Sequence, residues 1–341
     1  MLTIKPLLTA GLFAAAILAS GCKTQITKQE QAPTQAKIKA LIIEGQNNHV
    51  MWPKTTRMMA KMLSDTERFD VDITTTQHTF KLGDYAQKID PKNTVKFIDN
   101  NTKDWKKNKT DVNFSPDFAN YDVIVSNFGY GAAPLTIDAQ MKLEAFVANG
   151  GGLVVVHAAN NAWPNWKAYN QMTAFGGWGG RDEKSGPYVY LDNQGNVIKD
   201  PTKGESGSHG KRTEFVIETR TPNHPIMQGI PKKWLHTEDE LYGKLRGPAK
   251  NMTVLAYAFD DQITQKNQPV LAVIDYKKGR IFHTTLGHDD VAMACTGFIT
   301  TLQRGTQWAA TNKVDIPVPV NFPTATTTSS QLTRFQNIFA Q

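Results

Sequence analysis

The stretch Gly150–Asn161, "GGGLVVVHAANN", decides the fold. Three glycines open it, the aliphatic run Leu153–Val156 follows, and His157 ends that run ahead of two alanines and two asparagines. A short apolar run without polar alternation reads as a strand buried on both faces, as in a parallel sheet. Just upstream, Thr136–Asn149 carries Ile137, Met141 and Ala145 on one helical face, and Gly150 is a typical helix terminator. Helix, glycine break and buried strand together make one unit of an alternating α/β chain.

The alternation continues outward in both directions. "IKALIIEG" (Ile38–Gly45), "FDVDITTT" (Phe69–Thr76) and "YDVIVSNFG" (Tyr121–Gly129) read as strands, with a helix over Thr55–Leu63 between the first two. Downstream come "TEFVIET" (Thr213–Thr219), "MTVLAYA" (Met252–Ala258), and the pair "PVLAVIDY" and "RIFHTTLG", whose Lys277-Lys278-Gly279 joint predicts a hairpin. A helix over Thr296–Ala310 closes the series. The expected class is α/β: a mostly parallel, doubly wound sheet with helices on both faces, plus a hairpin and a Gly-rich insertion. Such sheets bind ligands beyond the carboxyl ends of their strands. Four polar clusters fall there: Gly45–His49, Ser126–Gly131, His157–Asn161 and Leu286–Asp290. Four argue for one shared cleft, with Asn47, Asn127 and Asn160 as candidate substrate-binding amides.

The chain ends set the domain plan. Lys5, the apolar stretch Leu7–Leu18 and "LASGC" (Leu18–Cys22) read as a secretory signal closing on a lipobox-like cysteine. The expectation is cleavage after residue 21, lipidation of Cys22, and a polar tether over residues 22–36. Lys23, rather than aspartate, after that cysteine favours the outer membrane, with the protein facing the periplasm. Residues 37–312 make the domain, and 313–341 a Pro/Thr-rich extension that wraps the surface or dangles. With Cys22 lipidated, Cys295 is the remaining thiol, so no intrachain disulfide forms and stability rests on the core. The formal charge of +7 becomes +6 on losing Lys5. The basic segment Lys103–Lys109 is read as a solvated loop on an exported protein, not as a nucleic-acid site.

His157 stands at the strand-to-turn position where class I glutamine amidotransferases and α/β-hydrolases carry a Cys or Ser nucleophile. Imidazole there argues against a covalent acyl intermediate and for a base, an acid or a metal ligand. "HTEDELYGKL" sets Glu238, Asp239 and Glu240 together, and carboxylates sharing one site raise one another's pKa. His288, after a glycine at a strand end, is a further site candidate, whereas His283 alternates with Ile281 and Thr285 and reads as a core histidine. His157, Glu240 and His288 would form a two-His, one-carboxylate set for a divalent metal such as Zn or Mn. Trp163, Trp166 and Tyr169 are candidates to stack on a sugar ring or to pack inward. The Gly-rich Phe175–Tyr190 and Gly204–Arg212 read as a lid or rim, with Arg181 and His209 available to reach a ligand. Cys295 reads as a small buried residue.

Taken in order, "GGGLVVVHAA", "NWKAY" (165–169), "HPI" (224–226), "DELY" (239–242) and "GRIFHTTLGHDD" (279–290) resemble the ThuA family of trehalose-utilisation proteins. The resemblance runs from about Ala40 to Ala310 and implies a glutamine-amidotransferase-like fold. Many members carry a histidine shortly after the Phe-Gly pair; here Arg181 occupies that region and His209 lies beyond an insertion. The resemblance implies carbohydrate utilisation, on disaccharides or on glycosides oxidised to 3-ketones by a partner dehydrogenase. Acid–base elimination or hydrolysis suits the residues: His157, Asp239, Glu240 and His288 as catalytic groups, and Tyr242 among those binding substrate. Two other readings are a non-catalytic sugar-binding lipoprotein and an ordinary glycosidase, the latter needing two separated carboxylates.

Overall fold

A computed structural model describes residues 2, 36–45, 47–49, 51–76 and 109–338. The expectations for Cys22, residues 23–35 and the basic segment 103–108 fall outside the described residues. Residues from Lys37 onward form one compact unit. Among the described residues no helix is long and apolar enough to cross a membrane.

In chain order the elements are β1 (Ile38–Glu44), α1 (Trp52–Ser64), β2 (Phe69–Thr75), β3 (Val123–Asn127), α2 (Ile137–Ala148), β4 (Gly152–Val156) and α3 (Lys167–Thr173). Then follow β5 (Tyr188–Leu191), β6 (Val197–Asp200), β7 (Ser208–His209), β8 (Thr213–Thr219), β9 (Lys233–Asp239) and β10 (Tyr242–Gly243). The series ends with β11 (Met252–Asp260), β12 (Lys266–Tyr276), β13 (Gly279–Thr284), α4 (Asp290–Met293) and α5 (Thr296–Thr311). The central sheet runs β2-β1-β3-β4-β13-β12-β11-β8-β9. Its first five strands are parallel. The expected hairpin joins β12 to β13, with Tyr276 opposite Gly279, and beyond it the sheet continues as an antiparallel wing of β12, β11, β8 and β9.

Strand alternation builds two cores from one run of sequence. Ala40, Ile42, Val154 and Val156 pack against Met58, Met59 and Phe298 of α1 and α5. Their neighbours Leu41, Ile43, Leu153 and Val155 face the other way, onto Leu143 of α2 and Tyr169 of α3. The glycines that open β4 have separate reasons. Gly150, at φ +117°, ends α2 in a conformation side chains rarely adopt, and a Cβ on Gly152 would lie 2.7 Å from the Ala309 backbone of α5.

One expectation needs correction, and another is decided between its two alternatives. On α2 the face of Ile137, Met141 and Ala145 looks to solvent, Ile137 being 70% and Met141 65% exposed, while Ala139, Leu143 and Val147 are buried. The Thr136 cap fixes the helix start, its hydroxyl accepting from the Ala139 N–H at 3.1 Å, and the sheet then selects the opposite row. The C-terminal segment wraps rather than dangles. It hydrogen-bonds the edge strand β9 (Leu235 N–H to Thr324 O, 2.7 Å) and the start of α5 (Thr296 N–H to Ser329 O, 2.8 Å), and buries Phe335 completely. It thereby covers a sheet edge that would otherwise offer free backbone groups.

Candidate functional site

The parallel half of the sheet delivers three strand ends to one place. β4 ends at Val156, paired with Thr284 of β13, so the next residues, His157 and Thr285, lie side by side. His157 takes a left-handed φ of +46° and opens a single 3-10 turn through Asn161. That backbone is costly for a residue with a Cβ, and such strain is usually held where function needs it. After β13, Gly287 at φ +106° turns the chain so that His288 faces inward, and Asp289 caps α4 by accepting from the Val291 and Ala292 N–H groups. After β1, His49 is pinned at both ends: its N–H donates to Asn47 Oδ1 at 2.7 Å and its carbonyl accepts from Trp52 N–H at 3.0 Å.

The result is a cavity of about 390 Å³ whose wall includes His49, His209, Glu240, Tyr242, His288 and Trp178. Glu240 is its pivot. Its Oε1 lies 3.2 Å from His288 Nε2 and 3.7 Å from His209 Nδ1, and its Oε2 lies 4.0 Å from His157 Nε2. Burial raises the Glu240 pKa above the ordinary carboxylate value, against the pull of His288 and His209. For His288, burial pushes the pKa down, but Asp289, Glu240 and Asp239 outweigh it and the net shift is upward. Both groups are thus raised from their ordinary values, the kind of perturbation that marks acid–base sites. His49 is driven well below the usual histidine range by burial and by His157 and His288, whose rings stand edge-on at 5.0 and 4.8 Å.

His157 sits behind this wall. Its Nδ1–H donates to Thr285 O at 2.7 Å, so Nε2 carries the lone pair and accepts the Tyr242 hydroxyl proton at 2.7 Å. Burial lowers its pKa to about 4. Holding a proton there at pH 7 would cost about 4 kcal/mol, so the pair is a fixed dipole and not a proton store. Burial, together with Glu240 and Asp239, raises Tyr242 well above its usual value, keeping the phenol neutral.

The three adjacent carboxylates go three ways. Glu238 is exposed, Asp239 points into the core, and Glu240, just past the strand, turns into the cavity. Asp239, expected to be catalytic, is 1% exposed and already saturated. It accepts from His236 Nε2 (2.9 Å) and from the backbone N–H groups of Glu240 (2.8 Å), Gly287 (2.7 Å) and His288 (3.0 Å). It is a positioning residue: one carboxylate fixes the backbone of both partners in the Glu240–His288 pair. Burial alone would raise its pKa, but His236 and these donors bring it down to about 2. His236 is raised despite burial, by Cys295 and Asp239, and Cys295 is lowered despite burial by His236.

Other candidates also lie away from the cavity. Asn127 donates to Trp52 O, Thr55 and Thr56 and so holds α1; Asn47 shapes the His49 loop; Asn160 pairs with His283 at 3.1 Å. His283 is a satisfied core histidine, its Nδ1 donating to Thr173 O, as its alternation implied. Arg181 is 3% exposed and ties the Gly-rich segment together through the Asn161, Ala162 and Gly177 carbonyls and Asn170. Trp163 donates to Ala133 O, Tyr169 is fully buried, and Trp166 stacks on Tyr169, so all three aromatics belong to the second core. His209 does reach the site: β7 pairs with β10, setting it opposite Tyr242. Sequence reasoning missed His49 and Trp178. His49 was visible as the last residue of the cluster after β1, whereas Trp178 was hidden in a Gly-rich stretch without periodicity.

Among the described residues no group of three His, Cys, Asp or Glu side chains is arranged to hold a metal ion. The expected His157–Glu240–His288 set does come together around Glu240, but the His157 lone pair is engaged by Tyr242 and its other nitrogen donates to Thr285. That set as arranged therefore does not fit a metal.

The profile of the ThuA family, described as trehalose utilisation, matches residues 39–309. A ThuA-like protein from Parabacteroides merdae is 35% identical, with a TM-score of 0.72, over 87% of this chain and 98% of that one. A ThuA-like protein from Bacteroides uniformis is 17% identical, with a TM-score of 0.51, over 84% and 96% of the two chains, and bears on the fold alone. No curated protein matches the sequence.

Proposed function

The chain belongs to the ThuA family, and we propose that it is a carbohydrate-processing enzyme working by general acid–base catalysis, with Glu240 as base and His288 as acid. The observation that carries this is the 3.2 Å Glu240–His288 pair at the wall of the strand-end cavity, with both pKa values raised. The substrate is a glycoside or disaccharide bearing a ketone at C3. That ketone acidifies the C2–H bond; Glu240 takes the proton, and the electron pair forms the enolate. The enolate then expels the aglycone oxygen from C1, His288 supplies that oxygen's proton, and an enone remains. Water adds across C1 and C2 to complete net hydrolysis. Tyr242, whose own proton is committed to His157, offers its oxygen to a substrate hydroxyl and orients the ring.

An ordinary glycosidase would need a second carboxylate across the bond, and Glu240 is the one carboxylate among the described cavity residues. A purely binding protein would not need an acid–base pair at strand ends. In the proposed setting the protein is tethered by lipid at Cys22, at the outer membrane, and a sugar dehydrogenase supplies the ketone. The test is turnover of methyl 3-keto-β-D-glucopyranoside and of its unoxidised parent. Glu240→Gln should lower kcat by about 10² or more, and an unchanged rate would remove Glu240 from the chemistry.

A further inference from the structure

We infer that Trp178 is the platform on which the substrate ring lies, and that it restricts the site to cyclic sugars presenting an unbroken face of C–H bonds. This rests on the carbohydrate reading above and deepens it. Trp178 is half-buried and lines the cavity beside Tyr242, its indole edge-on to that ring at 4.8 Å and 5.9 Å from the His209 imidazole. It is not where local chain preference would put it. Its φ is +53°, which a bulky residue adopts only when its surroundings impose it.

Those surroundings are specific. The Trp178 N–H donates to Ser206 O at 3.0 Å, and its carbonyl accepts from Arg181 N–H at 3.1 Å. Ser206 is itself fixed by its hydroxyl, which donates to Gly176 O at 2.9 Å. Beneath the indole lies Gly207, at φ +93°; a Cβ there would come within 2.5 Å of Trp178 Cδ2. Two glycine-rich segments, brought together by the buried Arg181, therefore hold one large aromatic in a strained backbone at the cavity wall. Trp163 shares a left-handed φ, of +45°, but is buried in the second core away from the cavity, whereas Trp178 packs on the edge of that core and also lines the cavity.

Apart from Met51, the other described residues of the wall carry polar groups: imidazoles, a carboxylate, two phenols and two amides. A ligand matching both parts has one apolar face and a polar rim. Pyranose rings have that form, because axial C–H bonds cluster on a face while hydroxyls project from the edge. Acyclic polyols carry the same hydroxyls without such a face.

The experiment separates binding from turnover. Binding of methyl β-D-glucopyranoside and of sorbitol is measured calorimetrically on wild type, Trp178→Ala and Trp178→Phe. We expect Trp178→Ala to weaken the glucoside by about 10- to 100-fold, the loss from uncovering part of an aromatic face. Trp178→Phe should retain most of the affinity. Sorbitol should bind weakly to every variant. Equal glucoside affinity in wild type and Trp178→Ala, or equal affinity of wild type for glucoside and sorbitol, overturns the platform. If Trp178→Ala does not fold, Trp178→Phe set against Trp178→Leu decides: loss of binding in Leu alone supports the platform, and equal binding overturns it. Failure of the catalytic reading looks different: Trp178-dependent binding persists, yet the 3-keto glucoside is not turned over.

Discussion

Replacing Asp239 by Asn distinguishes a buried scaffold from a catalytic carboxylate. Each Asp239 oxygen accepts two hydrogen bonds, Oδ1 from Glu240 and His288 N–H and Oδ2 from His236 Nε2 and Gly287 N–H. An amide must turn its NH₂ toward one of those pairs, setting donors against donors. Hydrogen bonds to a charged group contribute about 1.5–3 kcal/mol each, so losing two costs about 3–6 kcal/mol. Removing one partner of a buried ion pair is independently worth about 3–5 kcal/mol, which agrees. Set against a total of about 5–15 kcal/mol, that is a severe loss, and a melting temperature lower by roughly 10 °C should accompany it. The pH dependence gives a second signature. Asp239 is depressed to about 2, so its stabilisation is full above the unfolded carboxylate value near 4 and is lost as pH falls through 2. His236 is raised to about 10, so its share is full below the unfolded histidine value near 6.5 and is lost as pH rises through 10. Urea unfolding from pH 2 to 10 should therefore show wild-type stability falling at both ends, and Asp239→Asn should lack the acid limb belonging to this group. A variant within about 1 kcal/mol of wild type, but inactive, would refute the scaffold role and return Asp239 to the chemistry.

Three further outcomes are expected. On α2, Leu143→Ala should cost about 2–5 kcal/mol and Met141→Ala less than about 0.5; a urea titration of the pair would expose an inverted assignment of faces. Dialysis against a chelator should leave melting temperature and turnover unchanged, with sub-stoichiometric metal by elemental analysis, because the His157 nitrogens are committed to Thr285 and Tyr242. Cys22→Ser, made in the full gene, should move the protein from the membrane to the soluble fraction; a variant that stays with the membrane removes lipid anchoring.

Much of the fold was legible because its signals are local. The apolar run Leu153–Val156 between glycines and His157 needs no partner to be identified as a buried strand, and four such runs ending in polar clusters imply one cleft at the carboxyl edge of a parallel sheet. His288, Glu240, His209 and Tyr242 were accordingly found from sequence, and all line the cavity. What sequence cannot carry is direction. Whether Glu238, Asp239 or Glu240 enters the cleft depends on where β9 stops, since successive side chains alternate and one residue beyond the strand breaks the pattern. Whether Ile137 or Ala139 heads the buried row of α2 depends on how the helix is rotated against the sheet. His157 looked like the reactive group because it ends the strand, but only the β4–β13 register sets Thr285 against one of its nitrogens and Tyr242 against the other. Trp178 acquires meaning only from Ser206, Gly207 and Arg181, which close around it from segments that carry no periodic signal. Local pattern determined the elements and the edge where chemistry belongs; long-range packing decided which side chains face the cavity, because facing is a relation between segments and not a property of any one of them.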